Sequence, residues 1–233
     1  MTLKSPQIVA VVPAAGVGKR MAADRPKQYL ELNDKTIIEH TISLLLSHSA
    51  ISKVVVATSA DDPYFPLLTI ASDKRVMRVD GGAERVDSVV AGLEGITDEW
   101  VMVHDAARPC VTLSDIDALI EVAIQSDAGA ILAMPVRDTM KRVGESSGIT
   151  HTVCREALWH ALTPQMFRTE QLKTALAEAI AGGATITDEA SALEFCGLTP
   201  RVVSGRSDNI KVTRPEDLAL ANFYLTQREK ESS

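Results

Sequence analysis

Two kinds of apolar pattern alternate along the chain. Ile8-Val9-Ala10-Val11-Val12 is an uninterrupted β-branched run, which predicts a buried strand. From Thr36 to Leu46 the residues Ile37, Ile38, Thr41, Leu44 and Leu45 fall at helical spacing. Lys53–Thr58 is a Val-rich strand, Asp61–Ala71 a helical stretch broken by proline, and Arg75–Val79 a short strand. Ser88–Leu93 lies in a helix and Trp100–His104 in a strand. Ser114–Ser126 is a well-patterned helix with Ser114 as its N-cap, and Ala130–Pro135 is another apolar strand. Such alternation predicts an α/β fold, a mainly parallel sheet flanked by helices on both faces. Ligands of these sheets sit beyond the carboxyl ends of the strands, where Gly16, Gly81 and Asp105 fall.

The rhythm breaks at 136–155. This stretch is polar, carries Gly144 and Gly148 in its middle, and has β-prone flanks at Asp138–Arg142 and Ile149–Val153. It predicts a long hairpin projecting from a single domain that takes in residues 1–233. A lone two-stranded ribbon is marginal in water, so the arm packs either on a second subunit or on its own domain. Beyond it come a helix over Glu170–Ala181, a short helix ending near Cys196-Gly197, a last strand at Arg201–Val203 and a closing helix that Pro215 begins. The tail from Gln227 onward reads as frayed.

Composition narrows the function. The formal net charge of −7 argues against a general nucleic-acid binder, so any basic site is local. The N-terminus lacks a signal-peptide core, and no apolar run is long enough to cross a bilayer, so no membrane role is expected. Cys110, Cys154 and Cys196 are too scattered for a zinc site; as buried or half-buried reduced thiols they fit a cytoplasmic protein.

The candidate chemistry begins where the first strand ends. Pro13-Ala14-Ala15-Gly16-Val17-Gly18-Lys19-Arg20-Met21, followed by Pro26-Lys27-Gln28-Tyr29, joins small residues to three cations, Lys19, Arg20 and Lys27. Bare amides with fixed positive charge suit a nucleoside triphosphate. A P-loop would need Gly and Ser or Thr where Pro13 and Arg20 stand, and the dinucleotide fingerprint fails at Met21. Asp80-Gly81-Gly82-Ala83-Glu84-Arg85 reads either as a ligand-edge turn, with Ser88 one turn later, or as a plain strand-to-helix turn. In His104-Asp105-Ala106-Ala107-Arg108-Pro109 the Asp105 carboxylate could hold a metal, a ribose or a substrate hydroxyl, or pair structurally with Arg108. His104 reads as a packing residue. Thr139, Lys141, Arg142 and Arg155 make the arm basic, and Lys211 is a cation set in an apolar run. The chain is rich in phosphate-binding parts and poor in nucleophiles, which favours transfer between two phosphorylated ligands.

Taken in order, the Pro13–Met21 and Pro26–Tyr29 motifs, His104–Pro109, Thr187-Asp188-Glu189-Ala190-Ser191 and Asn209-Ile210-Lys211-Val212-Thr213 closely resemble the 2-C-methyl-D-erythritol 4-phosphate cytidylyltransferase family. The resemblance runs from about Ile8 to Leu225 and implies a Rossmann-like nucleotidyltransferase sheet. It also implies joining of CTP and methylerythritol phosphate with release of pyrophosphate, Mg²⁺ as cofactor, and a homodimer whose arm reaches the partner's site. A fused cyclodiphosphate synthase, found in some relatives, is not expected here.

The same resemblance carries roles over. Arg20 and Lys27 stabilise charge on the α-phosphoryl oxygens. Ala14, Ala15, Gly16, Gly18, Gly81 and Gly82, with Ser88, bind the nucleotide. Asp105, Arg108, Thr163 and Thr187 meet the polyol, while Thr139 and Arg155 of the partner's arm bind its phosphate. Lys211 steers the nucleophile. Mg²⁺ is held mainly by the CTP phosphates, with Asp105 as its candidate protein ligand. Ala83 departs from the family pattern, which has an acidic residue after the paired glycines. The rival readings are a ribitol phosphate cytidylyltransferase and a noncatalytic CTP sensor that signals through the arm.

Overall fold

Strand β1 (Ile8–Pro13) explains the layering of the molecule, because its side chains are buried on both faces. A computed structural model describes residues 6–16 and 25–231 of the chain. In β1, Ile8, Ala10 and Val12 enter one apolar cluster, while Val9 and Val11 enter another on the opposite side. A strand without a polar face can only sit inside a sheet covered twice.

Helices α1 (Ile37–Ser47) and α3 (Leu113–Ala123) cover the first side, through Ile38, Ile42 and Leu45 of one and Ile116, Leu119 and Ala123 of the other. The second side is covered by α2 (Arg85–Leu93), α4 (Thr169–Ala181) and α5 (Glu189–Phe195), through residues such as Val89, Leu93, Leu172, Leu176 and Leu193. Helix α2 lies so close to β1 that a Cβ on Gly92 would stand 2.5 Å from Val11 Cγ1.

A small antiparallel ribbon, β2 (Glu31–Leu32) and β3 (Lys35–Thr36), precedes α1. The other main-sheet strands are β4 (Ile51–Thr58), β5 (Val76–Asp80), β6 (Trp100–Val103), β7 (Ala130–Pro135), β10 (Trp159–Arg168) and β11 (Arg201–Ser204). The seven-stranded order is β11-β7-β10-β6-β1-β4-β5, parallel except that β10 runs antiparallel to both neighbours. Closing helix α6 (Pro215–Glu231) packs Ala221 against Leu32, Ile37, Cys110 and Val212, a third cluster beside the sheet. No helix among the described residues is long and apolar enough to cross a membrane.

Several local expectations need correction. Strand β10 is absent from the sequence pattern because Thr163, Pro164 and Gln165 interrupt its apolar run, and its pairing with β7 slips between Ala161 and Gln165. The 61–71 stretch forms only two short 3₁₀ turns, Phe65–Leu67 and Thr69–Ser72. Thr112, not Ser114, caps α3: its Oγ1 accepts from Asp115 N–H at 3.1 Å while Asp115 accepts from Thr112 N–H. Cys154 is exposed, not buried or half-buried, and α6 continues through Glu231 where fraying was expected.

The arm forms where expected, as β8 (Met140–Val143) and β9 (Ile149–Val153), which pair with each other and with no strand of the main sheet. At its foot Val136 is buried and donates its N–H to Leu158 O at 2.9 Å. Met140, Val143, Ile149 and Trp159 leave apolar surface exposed along and beside it.

Candidate active site

Two neighbouring clefts open at the carboxyl edge of the sheet. Pro13–Gly16, Lys27, Gln28, Ser88, residues 82–85, residues 105–107 and Lys211 line the first. The second is lined by Arg108, Thr163, Gln165, Thr187 and Asp188 among others, and it shares Arg85, Asp105 and Lys211 with the first.

In the first cleft, buried Gln28 donates through Nε2 to Ala14 O at 2.6 Å and to Gly16 O at 3.2 Å, while Ser59 Oγ donates to Ala15 O. In a trans peptide the next N–H points opposite to the carbonyl, so the Ala15 and Gly16 amides face away from Gln28 and Ser59. A Cβ on Gly16 would meet nothing within 4 Å, so its backbone is open to a close approach. Lys27 follows on a single 3₁₀ turn that is anchored when the Tyr29 hydroxyl donates to Asp62. Its Nζ donates to Val212 O at 2.7 Å, which places Lys27 beside the segment carrying Lys211. Gly18 and Arg20 lie outside the described residues.

Of the paired glycines only Gly82 reaches a cleft. Gly81 N–H donates to Thr58 O at 2.6 Å and Gly82 N–H to Ser88 Oγ at 3.2 Å, so both amides are engaged within the protein. Gly81 does not line either cleft; a Cβ there would stand 2.8 Å from Ser88 Oγ and 2.9 Å from Ala15 Cβ. At Gly82 an added Cβ would stand 2.1 Å from Asp87 Cβ, and Asp87 Oδ2 accepts from Glu84 N–H to cap α2. Gly82→Ala should therefore displace Asp87 and weaken the cap. The expected result is a loss of about 1–3 kcal/mol in urea unfolding.

Asp105 is the electrostatic centre of both clefts. Its buried carboxylate accepts from Arg85 Nε at 3.1 Å, Arg108 Nε at 3.3 Å and Lys211 Nζ at 2.9 Å. Burial pushes its pKa up, but Arg85, Lys211 and Arg108 outweigh that and hold the carboxyl well below the usual range. Arg85 also grips buried Glu189 with both terminal nitrogens, at 2.6 and 3.1 Å. Burial raises the Glu189 pKa, and the Arg85 charge opposes the rise. Arg108 Nη1 donates to Asn209 O at 2.7 Å, so the guanidinium is braced from two sides.

His104 is fully buried and its pKa is lowered to about 4, chiefly by desolvation. A carbonyl cannot donate, so His104 Nε2 carries the proton shared with Arg108 O at 3.1 Å, and Nδ1 accepts from Thr163 Oγ1. The Thr163 oxygen in turn accepts from Asp105 N–H at 3.0 Å. His104 and Thr163 thus hold the backbone of Asp105, as a packing histidine with a buried hydroxyl partner. Thr187 is exposed at the rim of the second cleft. Next to it, Asp188 caps α5 and accepts from Gln165 Nε2 at 2.8 Å, which presents Glu189 to Arg85.

Thr139 and Arg155 sit exposed on the arm and line neither cleft of this chain. Sequence reasoning gave Gln28, Arg85 and Glu189 no role, although all three fall within or beside its motifs. The one available signal was an arginine three residues after the paired glycines, at the start of a helix. Among the described residues no group of three or more His, Cys, Asp or Glu side chains could hold a metal. Both Asp105 oxygens already accept from cations, an environment for a hydroxyl donor and not for a direct divalent ligand.

The family model for 2-C-methyl-D-erythritol 4-phosphate cytidylyltransferase matches residues 8–227. A protein of that name from Photobacterium profundum is 64% identical over 231 residues, covering 97% of this chain and 99% of the relative. A solved 4-diphosphocytidyl-2C-methyl-D-erythritol synthase superposes with a TM-score of 0.82 at 37% identity, covering 96% of this chain and all of the other. The Francisella tularensis 2-C-methyl-D-erythritol 4-phosphate cytidylyltransferase superposes at 0.81 with 35% identity, covering 94% and 99% of the two chains.

Proposed function

This chain belongs to the 2-C-methyl-D-erythritol 4-phosphate cytidylyltransferase family, and from that premise we propose how its two clefts divide the reaction. The chain is a nucleotidyltransferase of the non-mevalonate isoprenoid pathway. The observation that carries the division is the sharing of Arg85, Asp105 and Lys211 between a cleft of small residues and a polar one.

CTP takes the first cleft, with its phosphates over the Ala15 and Gly16 amides and Lys27. The polyol of methylerythritol phosphate takes the second, one hydroxyl donating to Asp105, with Arg108 and Thr187 beside it and Thr163 holding the Asp105 backbone. Gly82 and Ser88 border the base. A phosphate oxygen of the acceptor attacks the α-phosphorus in line, the P–O bond to the β-phosphate breaks, and pyrophosphate carries the electron pair away. Negative charge spreads over the α-phosphoryl oxygens, where Lys27, with Arg20 by family motif, stabilises it. Lys211, at the junction of the clefts, turns from Asp105 to the incoming phosphate.

Among the described residues no cluster of carboxylates would hold Mg²⁺, so the ion would be held mainly by the CTP phosphates, where it would supply charge neutralisation of the triphosphate. The exposed apolar positions of the arm support a homodimer in which Thr139 and Arg155 complete the acceptor-phosphate site of the partner. Three free cysteines fit a cytoplasmic setting.

Arg155→Ala is the test of this arm. It should raise KM for methylerythritol phosphate by about 10-fold or more, as expected for losing a charge-assisted phosphate contact, and leave KM for CTP unchanged. Equal losses for both substrates would contradict it. Mixed with Lys27→Ala subunits, Arg155→Ala subunits should regain activity through hybrid sites; no recovery despite demonstrated subunit exchange would place the arm on its own chain. Assays with ribitol phosphate beside methylerythritol phosphate distinguish the two acceptors.

A further inference from the structure

Among the described residues, Arg85 is the one side chain that bridges Asp105, Glu189 and both clefts. It opens α2, one residue after the Gly82–Glu84 turn on the nucleotide side. Its terminal nitrogens are fixed on Glu189, whose side chain is 1% exposed, which leaves Nε aimed at Asp105. Glu189 is itself presented by a capped helix: Asp188 accepts from Ser191 N–H, and Gln165 Oε1 accepts from Ala190 N–H. The guanidinium cannot rotate without breaking two charge-assisted bonds, so its third donor is locked in direction.

The three cations on Asp105 are not equivalent. Arg108 is braced by Asn209 O and Arg85 by Glu189, whereas Lys211, at 37% exposed, is the most open of them. When Lys211 turns to a phosphate, Asp105 loses one partner. The carboxylate stays in position only because the remaining two are anchored elsewhere. We propose that the Arg85–Glu189 pair is a positioning device for the acceptor: it keeps Asp105 aimed at the polyol hydroxyl while Lys211 is released to the phosphate. Arg85 acts through Asp105 and is a positioning residue. The proposal rests on the reading that Asp105 meets the polyol.

The test is the double variant Arg85→Met/Glu189→Leu, which removes the buried Glu189 carboxylate together with its half-buried partner charge, strands neither, and is therefore expected to fold. KM for methylerythritol phosphate should rise about 10-fold, while KM for CTP moves less than about threefold. A pair that serves only the fold predicts wild-type kinetics in the double variant, and that result would overturn the proposal, as would equal rises in both KM values. Arg85→Lys keeps the charge but can serve only one of the two carboxylates. It should show the same one-sided rise at a smaller size, and it reads the same quantity should the double variant not fold. Asp105→Asn separates the two levels. If it leaves KM for the polyol phosphate unchanged, the reading of Asp105 fails and the device with it. If it raises that KM and neither Arg85 variant does, only the device fails.

Discussion

Replacing Lys27 with Ala is expected to lower kcat by ~100-fold or more at saturating CTP and methylerythritol phosphate, with an unchanged unfolding midpoint. The reasoning starts from the turn that carries it. Gln28 and Tyr29, the next two residues, are both buried and hold the turn against Ala14 O, Gly16 O and Asp62, so they fix the backbone of Lys27 without help from its side chain. Removing the ammonium loses the bond to Val212 O but leaves these anchors, so the fold survives. On the proposed reading, what disappears is a preorganised charge over the α-phosphate, whose value is largest when negative charge builds there. The loss therefore falls on kcat more than on KM for CTP. Arg20→Ala carries the same expectation through the family motif. Near-normal kcat in either variant would remove that residue from the transition state.

Lys211→Ala is expected to be of similar size, a fall in kcat of about 100-fold, and to reach both substrates. Lys211 lines both clefts, so on the proposed reading it would stabilise negative charge on the attacking phosphate and on the α-phosphoryl oxygens together. The variant should remain folded, because Asp105 keeps Arg85 and Arg108 as partners and its buried charge is not stranded. A loss of kcat with a normal unfolding midpoint would separate this role from a structural one. A variant that loses stability instead, and keeps its turnover when folded, would reduce Lys211 to a structural partner of Asp105.

The parts of the fold with pure patterns were legible in the sequence. β-Branched runs at Ile8–Val12 and Lys53–Thr58 mark strands because a doubly covered sheet tolerates no polar face there. The arm was legible from the opposite signal, loss of apolar pattern around two glycines. Strand β10 was not, because Thr163 and Gln165 are polar residues buried for their partners: His104 and the Asp105 N–H for one, Asp188 and the Ala190 N–H for the other. A hydrophobic pattern cannot report a position that is buried in order to make hydrogen bonds.

The same distinction holds at the site. Lys27, Asp105 and Lys211 stand out as charges in small-residue or apolar surroundings. Arg85 and Glu189 become a pair only when residues 104 positions apart meet across α2 and α5. The paired glycines illustrate a third case. Their composition suggested backbone hydrogen bonds to a ligand edge; in the fold their amides are engaged by Thr58 O and Ser88 Oγ, and Gly81 is small because Ser88 and Ala15 crowd it. Close packing and ligand approach both select glycine, and only coordinates tell them apart.

Pyrophosphate release tests the central claim most directly, that separated cations converge to make CTP reactive toward a phosphate monoester. It should be followed for the wild-type chain, Lys27→Ala and Lys211→Ala, with each nucleoside triphosphate, in the presence and absence of methylerythritol phosphate. The expected result is release from CTP alone among the four nucleotides, only when the acceptor is present, and nearly abolished in both variants. Release that needs no acceptor, or that proceeds at the wild-type rate without Lys27 and Lys211, would contradict it.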